Sequence, residues 1–325
     1  MRSVVFERFG NPADVLGVAE RPMPEPGPGE IRVRLVLSPI HNHDLWTIRG
    51  DYGVKPALPA GGGTEALGVV DAQGEGVSAP ALGQRVLIGG VSGVWSDYFL
   101  APAARAIPIP DAIDDETACQ LVAMPLSTLM LLDQLGLSAG DWVAQNAANG
   151  AVGRLFARFA AVKGIRVLSI VRRDAGIAEL AAAGIRDVVS TEQPRWEERA
   201  RAITAGAPIL QGIESVGGAA ANQLAGLLAP GATLVVFGSM SGRPLEIDAS
   251  HMIFRKMTVR GFWGATRPSE IGPEAVGRMI GELVGMAASG SLSLPVDAAY
   301  GLERAAEAVA ACDMPGRIGK IVLRP

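Results

Sequence analysis

The segment Trp142-Val-Ala-Gln-Asn-Ala-Ala-Asn149-Gly150-Ala151-Val152-Gly153 has the spacing from which a dinucleotide clamp is built. Gly150 lets the backbone approach a pyrophosphate, and Gly153 lets the following helix lie close to the strand. The helix N-terminus then presents unpaired N–H groups and a positive dipole end to the phosphates. Asn149, Gly150, Ala151, Val152 and Gly153 are therefore candidate cofactor contacts, with a plain glycine turn before a helix as the alternative. The next expected strand ends in Arg172-Arg173-Asp174, where an NAD site would carry an acidic residue for the ribose 2′-hydroxyl. Forked guanidinium donors suit a 2′-phosphate, so the expected cofactor is NADPH. Solvated charges flanking a helix are the competing account of the two arginines, and Asp174 is expected as that helix's N-cap.

Two later glycine stations, Glu214-Ser-Val-Gly217-Gly218 and Phe237-Gly238-Ser239-Met240, fall at carboxyl ends of expected strands, where open α/β sheets take ligands. Small residues there let a nicotinamide riboside lie against the backbone; ordinary turn glycines are the alternative. A sixth strand ends in Phe262-Trp263, whose rings either wall a pocket or pack at a subunit interface.

The elements that must position these residues alternate regularly after residue 142. Strands at 142–147, 166–172, 187–190, 209–216 and 232–238 are separated by helices at 151–163, 174–183, 195–205 and 218–228, with a further strand at 258–263. This pattern predicts a doubly wound parallel sheet. The first hundred residues read instead as short strands with Gly/Pro punctuation, at 3–7, 22–29, 31–36, 85–88 and 97–100. The boundary is expected near 110–125. Helices at 271–289 and 302–311 precede a closing strand at 320–323, which needs the first module's sheet as a partner.

At 325 residues, with 49% apolar and 19% charged residues, the chain is long enough for two domains. A net charge of -4 argues against nucleic acid or an anionic membrane surface as partner. The two cysteines, Cys119 and Cys312, provide no disulfide framework and suit a reducing cytoplasm. The apolar run at the start is too short for a signal peptide, and no stretch is long enough to span a bilayer, so a soluble protein is expected.

In order, these segments resemble the medium-chain dehydrogenase/reductase superfamily over essentially the whole chain. The resemblance is closest to its zinc-independent branch of 2-enoyl thioester reductases and quinone oxidoreductases. It is carried by Gln145 through Gly153, Ser215-Val-Gly-Gly218, Gly238-Ser-Met-Ser241, Ile253-Phe254 and Gly261-Phe-Trp263. The resemblance implies an α/β protein made of a GroES-like β-rich catalytic domain, 1–121 completed by 264–325, and an NADP-binding Rossmann domain with a doubly wound parallel sheet, 122–263. It also implies a small-molecule substrate and a homodimer paired through 258–263. The superfamily's zinc enzymes place ligands where this chain has His41-Asn-His43-Asp44, Gly63-Thr64-Glu65 and Ala123-Met124-Pro125, and the four cysteines of the structural zinc lobe are absent. No metal is expected; a site built from His41, His43 and Glu65 is the alternative.

Tyr52, in Gly50-Asp51-Tyr52-Gly53, is similar to the enoyl reductase tyrosine that protonates the substrate. In that chemistry a hydride enters the β-carbon of a conjugated alkene and an acid protonates the α-carbon. A phenol, with an ordinary pKa of about 10, keeps its proton at neutral pH. A turn tyrosine packed on a neighbouring loop is the alternative. His41 and His43 stand where the branch usually carries Asn and Ser, so with Trp263 they are expected to wall a pocket of altered size. The leading expectation is NADPH-dependent reduction of an enoyl thioester of coenzyme A or an acyl carrier protein. Quinone reduction is the alternative, and an NADPH-binding structural or sensing protein is the non-enzyme alternative. Alcohol dehydrogenation without zinc lacks a group to polarise an alkoxide.

Overall fold

The alternation after residue 142 folds as a six-stranded sheet, parallel throughout. Across the sheet the strands run Val188–Ser190, Arg166–Val171, Trp142–Gln145, Ile209–Glu214, Thr233–Val236 and Thr258–Gly261. In chain order this is 3-2-1-4-5-6, the doubly wound arrangement, and the order reverses between Trp142–Gln145 and Ile209–Glu214. Central strands are covered on both faces and read as continuous apolar runs: all four residues of Trp142–Gln145 are buried. The edge strand Thr258–Gly261 is exposed along its whole length. In this computed structural model, which describes residues 1–314 and 316–325, the sheet belongs to a unit of Ser127–Pro273, and the other unit joins Met1–Leu126 to Glu274–Pro325. The two changes of unit fall five and ten residues later than 121 and 263.

The first unit is β-rich. Its larger sheet is built on Glu30–Pro39, a ten-residue strand whose alternate residues Ile31, Val33 and Leu35 enter the core with Val4, Phe6 and Trp95. That strand pairs antiparallel with Glu65–Gln73 and with Tyr98–Pro102. The closing strand, Lys320–Arg324, joins the same sheet, antiparallel to Ser38 and Pro39 and parallel to Val296–Gly301. A smaller sheet orders Leu16–Glu20, Arg2–Phe6 and Ala60–Gly61.

Several elements differ from expectation for identifiable reasons. The stretch 22–29 forms no strand: its four prolines, at 22, 24, 26 and 28, remove the N–H groups a ladder needs. The helix expected at 271–289 forms as Pro273–Ala288, and a separate short helix, Arg267–Ile271, precedes it; Gly272 takes φ +82° between them and Pro273 starts afresh. Strand 142–147 stops at Gln145, since Ala147 turns into the left-handed region at φ +49°. Among the described residues no helix is long and apolar enough to cross a membrane.

Candidate functional site

In the parallel-sheet unit, the glycine loop joins Trp142–Gln145 to the helix Ala151–Val162. A Cβ on Gly153 would lie 2.6 Å from the Ala148 carbonyl oxygen, so only glycine permits this approach of helix to loop. Gly150 is the N-cap with φ -72° and needs no left-handed freedom; that demand falls on Ala147. The buried Gln145 amide donates to the Gly153 carbonyl at 2.9 Å and ties the helix start to the strand. Arg154 Nε donates to the Asn149 carbonyl at 2.9 Å, which fixes the loop ahead of the N–H groups of Ala151, Val152 and Gly153.

Arg172 and Arg173 are exposed just beyond the end of Arg166–Val171. Asp174 occupies the N-cap position of Ala175–Ala182, but it has helical dihedrals and makes no capping bond with its side chain. Its amide instead donates to Glu192 Oε2 at 3.0 Å, an acid supplied from beyond the next strand.

Where the strand order reverses, a buried latch crosses between neighbouring strands. Glu214 is fully buried, and its Oε1 accepts from Asn146 Nδ2, Val216 N and Gly217 N, each at 2.8 Å. Asn146 Oδ1 accepts from Ser215 N at 2.8 Å, while Glu214 Oε2 has no partner among the described residues. The latch holds a loop in which Gly217 takes φ +81°. The Gly238-Ser239-Met240 station lies on that loop, with Met240 N donating to the Ser215 carbonyl at 3.0 Å. Phe262 is buried and stacks on Phe237 at 5.5 Å, while Trp263 is half-exposed. Both rings border a cleft of about 450 Å³, with Gln134, Arg260, Arg267 and Glu270 on its walls. The latch is what sequence reading missed. Its signal was a carboxylate closing an otherwise apolar strand.

In the β-rich unit, the helix Asn42–Arg49 begins directly after Glu30–Pro39 and closes on Gly50, at φ +84°. That ending directs the amides of both Asp51 and Tyr52 onto the Trp46 carbonyl, at 2.9 and 3.2 Å. At the helix start Asp44 is buried; its Oδ2 accepts from His41 N at 2.8 Å and its Oδ1 from Thr64 Oγ1 at 2.7 Å. The threonine's single proton is thereby committed, so at 2.7 Å its oxygen accepts from His43 Nε2. The His43 ring stacks on His41 at 5.0 Å, with 14° between planes, and lies 5.9 Å from the Tyr52 ring.

Behind His43, His41 Nε2 pairs with Glu65 Oε2 at 2.7 Å, and Glu65 Oε1 accepts from Val122 N and Ala123 N at 2.7 and 2.9 Å. Burial raises the Glu65 carboxyl to about 7, partly opposed by those two amides. Burial, then the neighbouring Lys320, holds His41 well below its ordinary value. His41 has no exposed surface, so it does not serve as the pocket wall expected of it.

At the positions where the zinc enzymes place ligands, His41 Nε2 is engaged with Glu65, Glu65 Oε1 with two amides and His43 Nε2 with Thr64. Among the described residues no group of three or more His, Cys, Asp and Glu side chains is disposed to hold a metal ion.

Comparison with known proteins places these features in a wider set. Residues 151–280 match the family model described as zinc-binding dehydrogenase, and residues 27–111 match the alcohol dehydrogenase GroES-like domain. The chain is similar to mitochondrial enoyl-acyl-carrier-protein reductase of Caenorhabditis elegans, with 32% identity over 296 residues, covering 90% of this chain and 86% of that one. Against the Bos taurus protein of the same name, identity is 29% over 301 residues, covering 91% and 81%. Among solved structures it is similar to Escherichia coli quinone oxidoreductase complexed with NADPH, at a TM-score of 0.90 and 25% identity, over 100% of both chains.

Proposed function

The chain belongs to the medium-chain dehydrogenase/reductase superfamily, in its enoyl reductase and quinone reductase branch, and from that premise we propose an NADPH-dependent reductase of conjugated enoyl thioesters. The chemistry that NADPH supplies when bound is a hydride for the β-carbon. Asn149 through Gly153 would hold its pyrophosphate on the helix N-terminus, and Arg172 and Arg173 would take the 2′-phosphate. Gly217, Gly238, Ser239, Met240, Phe262 and Trp263 would hold the nicotinamide riboside. Tyr52 gives its phenolic proton to the α-carbon as charge collapses from the thioester oxygen.

The observation that carries this reading is the seating of Tyr52, its amide on the Trp46 carbonyl and its ring beside His43, in a chain 32% identical to an enoyl reductase. NADPH oxidation with a crotonyl thioester tests it. Tyr52→Phe should lower turnover at least about tenfold, about 1.4 kcal/mol of transition-state stabilisation, with NADPH affinity retained. Unchanged turnover would remove Tyr52 from the chemistry, and equal use of NADH would contradict the role of the arginines.

The similarity to a quinone oxidoreductase favours a second reading, quinone reduction. Quinones accept hydride with little help from a positioned acid, so a quinone rate indifferent to Tyr52→Phe supports that branch. The protein acts as a homodimer, the exposed edge Thr258–Gly261 pairing with its copy. It works in the cytoplasm, where the unpaired Cys119 and Cys312 stay reduced; cell fractionation tests the location.

A further inference from the structure

We propose that Glu192 is a positioning residue for NADPH selectivity: its carboxylate, bonded to the Asp174 amide, holds the turn that presents Arg172 and Arg173 to the 2′-phosphate. The inference rests on the reading of those two arginines as the 2′-phosphate contacts.

Arg172, Arg173 and Asp174 link Arg166–Val171 to Ala175–Ala182, and all three are exposed. On the helix side the turn is fixed by close approach. A Cβ on Gly176 would lie 2.9 Å from Val171 Cβ, and the amides of Gly176 and Ile177 donate to the carbonyls of Arg173 and Asp174 at 2.9 and 3.0 Å. On the sheet side the grip comes from the consecutive residues Ser190, Thr191 and Glu192. Ser190 is buried in register with Val171, and its Oγ donates to the Arg172 carbonyl and accepts from Glu192 N, both at 3.3 Å. Thr191 Oγ1 donates to the same carbonyl at 3.4 Å, while Thr191 N donates to the Val171 carbonyl at 2.9 Å. Glu192 Oε2 completes the grip by accepting from Asp174 N at 3.0 Å. The backbone is thereby held on both sides of Arg173.

The carboxylate is spent on a backbone amide and not on a guanidinium. Among the described residues neither Arg172 nor Arg173 has an acid partner, so both forks are left for a ligand. By charge alone an acid at this station works against a phosphate. By position it helps, because a turn already fixed loses little freedom when the phosphate arrives. The two effects have opposite signs and can be separated.

Dissociation constants for NADPH and NADH, read from tryptophan fluorescence with no substrate present, separate them. In Glu192→Ala the NADPH constant should rise about three- to tenfold, the worth of one exposed hydrogen bond, while the NADH constant stays within about twofold. Glu192→Gln keeps an acceptor for the Asp174 amide and sheds the charge, so it should bind NADPH at least as tightly as the parent. In a chain already carrying Arg172→Ala and Arg173→Ala, Glu192→Ala should have no further effect, because the tether acts through the arginines. Tighter NADPH binding by Glu192→Ala assigns the carboxylate to repulsion and overturns the tether. Equal weakening of both nucleotides, no change, or a Gln variant as weak as the Ala variant overturns it as well. The arginine double variant keeps the two readings apart: if it binds NADPH as tightly as the parent, the role of the arginines itself falls. If it weakens NADPH while Glu192→Ala does not, only the tether falls.

Discussion

Glu65 and His41 show how two residues with ordinary titration chemistry become a neutral pair once enclosed. Glu65 titrates near 7 in the fold and near 4.5 when unfolded, so between those values the folded state holds a proton that the unfolded chain has released. Stability should therefore fall as pH rises from about 4.5 to about 7, and stay lowered above it. In Glu65→Gln the amide oxygen still accepts from Val122 and Ala123, but there is no proton to lose. Thermal unfolding from pH 4 to 8 should show a flatter profile for the variant; an identical slope would count against the shared proton. Tyr52, the arginines and Gly153 were legible in the sequence because each sits at a turn whose position the alternation of elements reveals. The His41–Glu65 pair was not. Its partners are far apart in the chain, and nothing in either residue's local pattern announces complete burial.

At the scale of elements, the strand ends rather than the strands carry the proposed cofactor contacts. The regular β and α alternation was readable because buried parallel strands are continuous apolar runs. Leu16–Glu20 escaped notice because it is a mostly exposed strand, and Asn42–Arg49 because its single turn-and-a-half of buried residues gives little periodicity. The Asn146–Glu214 latch joins the two strands where their order reverses, and it sets the loop that carries Gly217. Asn146→Ala removes a donor to a buried carboxylate and the acceptor for Ser215 N, a loss of about 1–3 kcal/mol of stability. Weaker NADPH binding should accompany the lower melting temperature. A variant that melts early yet binds NADPH as tightly as the parent would confine the latch to stability.

For the whole molecule, the exposed edge strand is the feature that asks for a second copy. Val259, 36% exposed, lies on it, and Ile253 and Phe254, 65% and 79% exposed, precede it in the chain. An unpaired edge with adjoining apolar side chains is an aggregation template unless it is covered. Val259→Lys should shift the protein from dimer to monomer in light scattering; a parent already monomeric at working concentration would remove the proposed pairing. The doubly wound parallel sheet and the return of the chain to its first module were expected from the alternating pattern and the lone closing strand. The changes of unit carry no local signal, because the first falls inside the apolar helix Ala123–Leu135 and the second at the start of Pro273–Ala288. That return has a consequence for how the protein comes into being. The parallel-sheet unit is one uninterrupted stretch and can mature while synthesis continues. The β-rich unit must wait for Lys320–Arg324 to emerge before the strand leading into His41 gains its last neighbour. The parallel-sheet unit is thus ready first, and the β-rich unit that carries Tyr52 is finished only as the last strand docks.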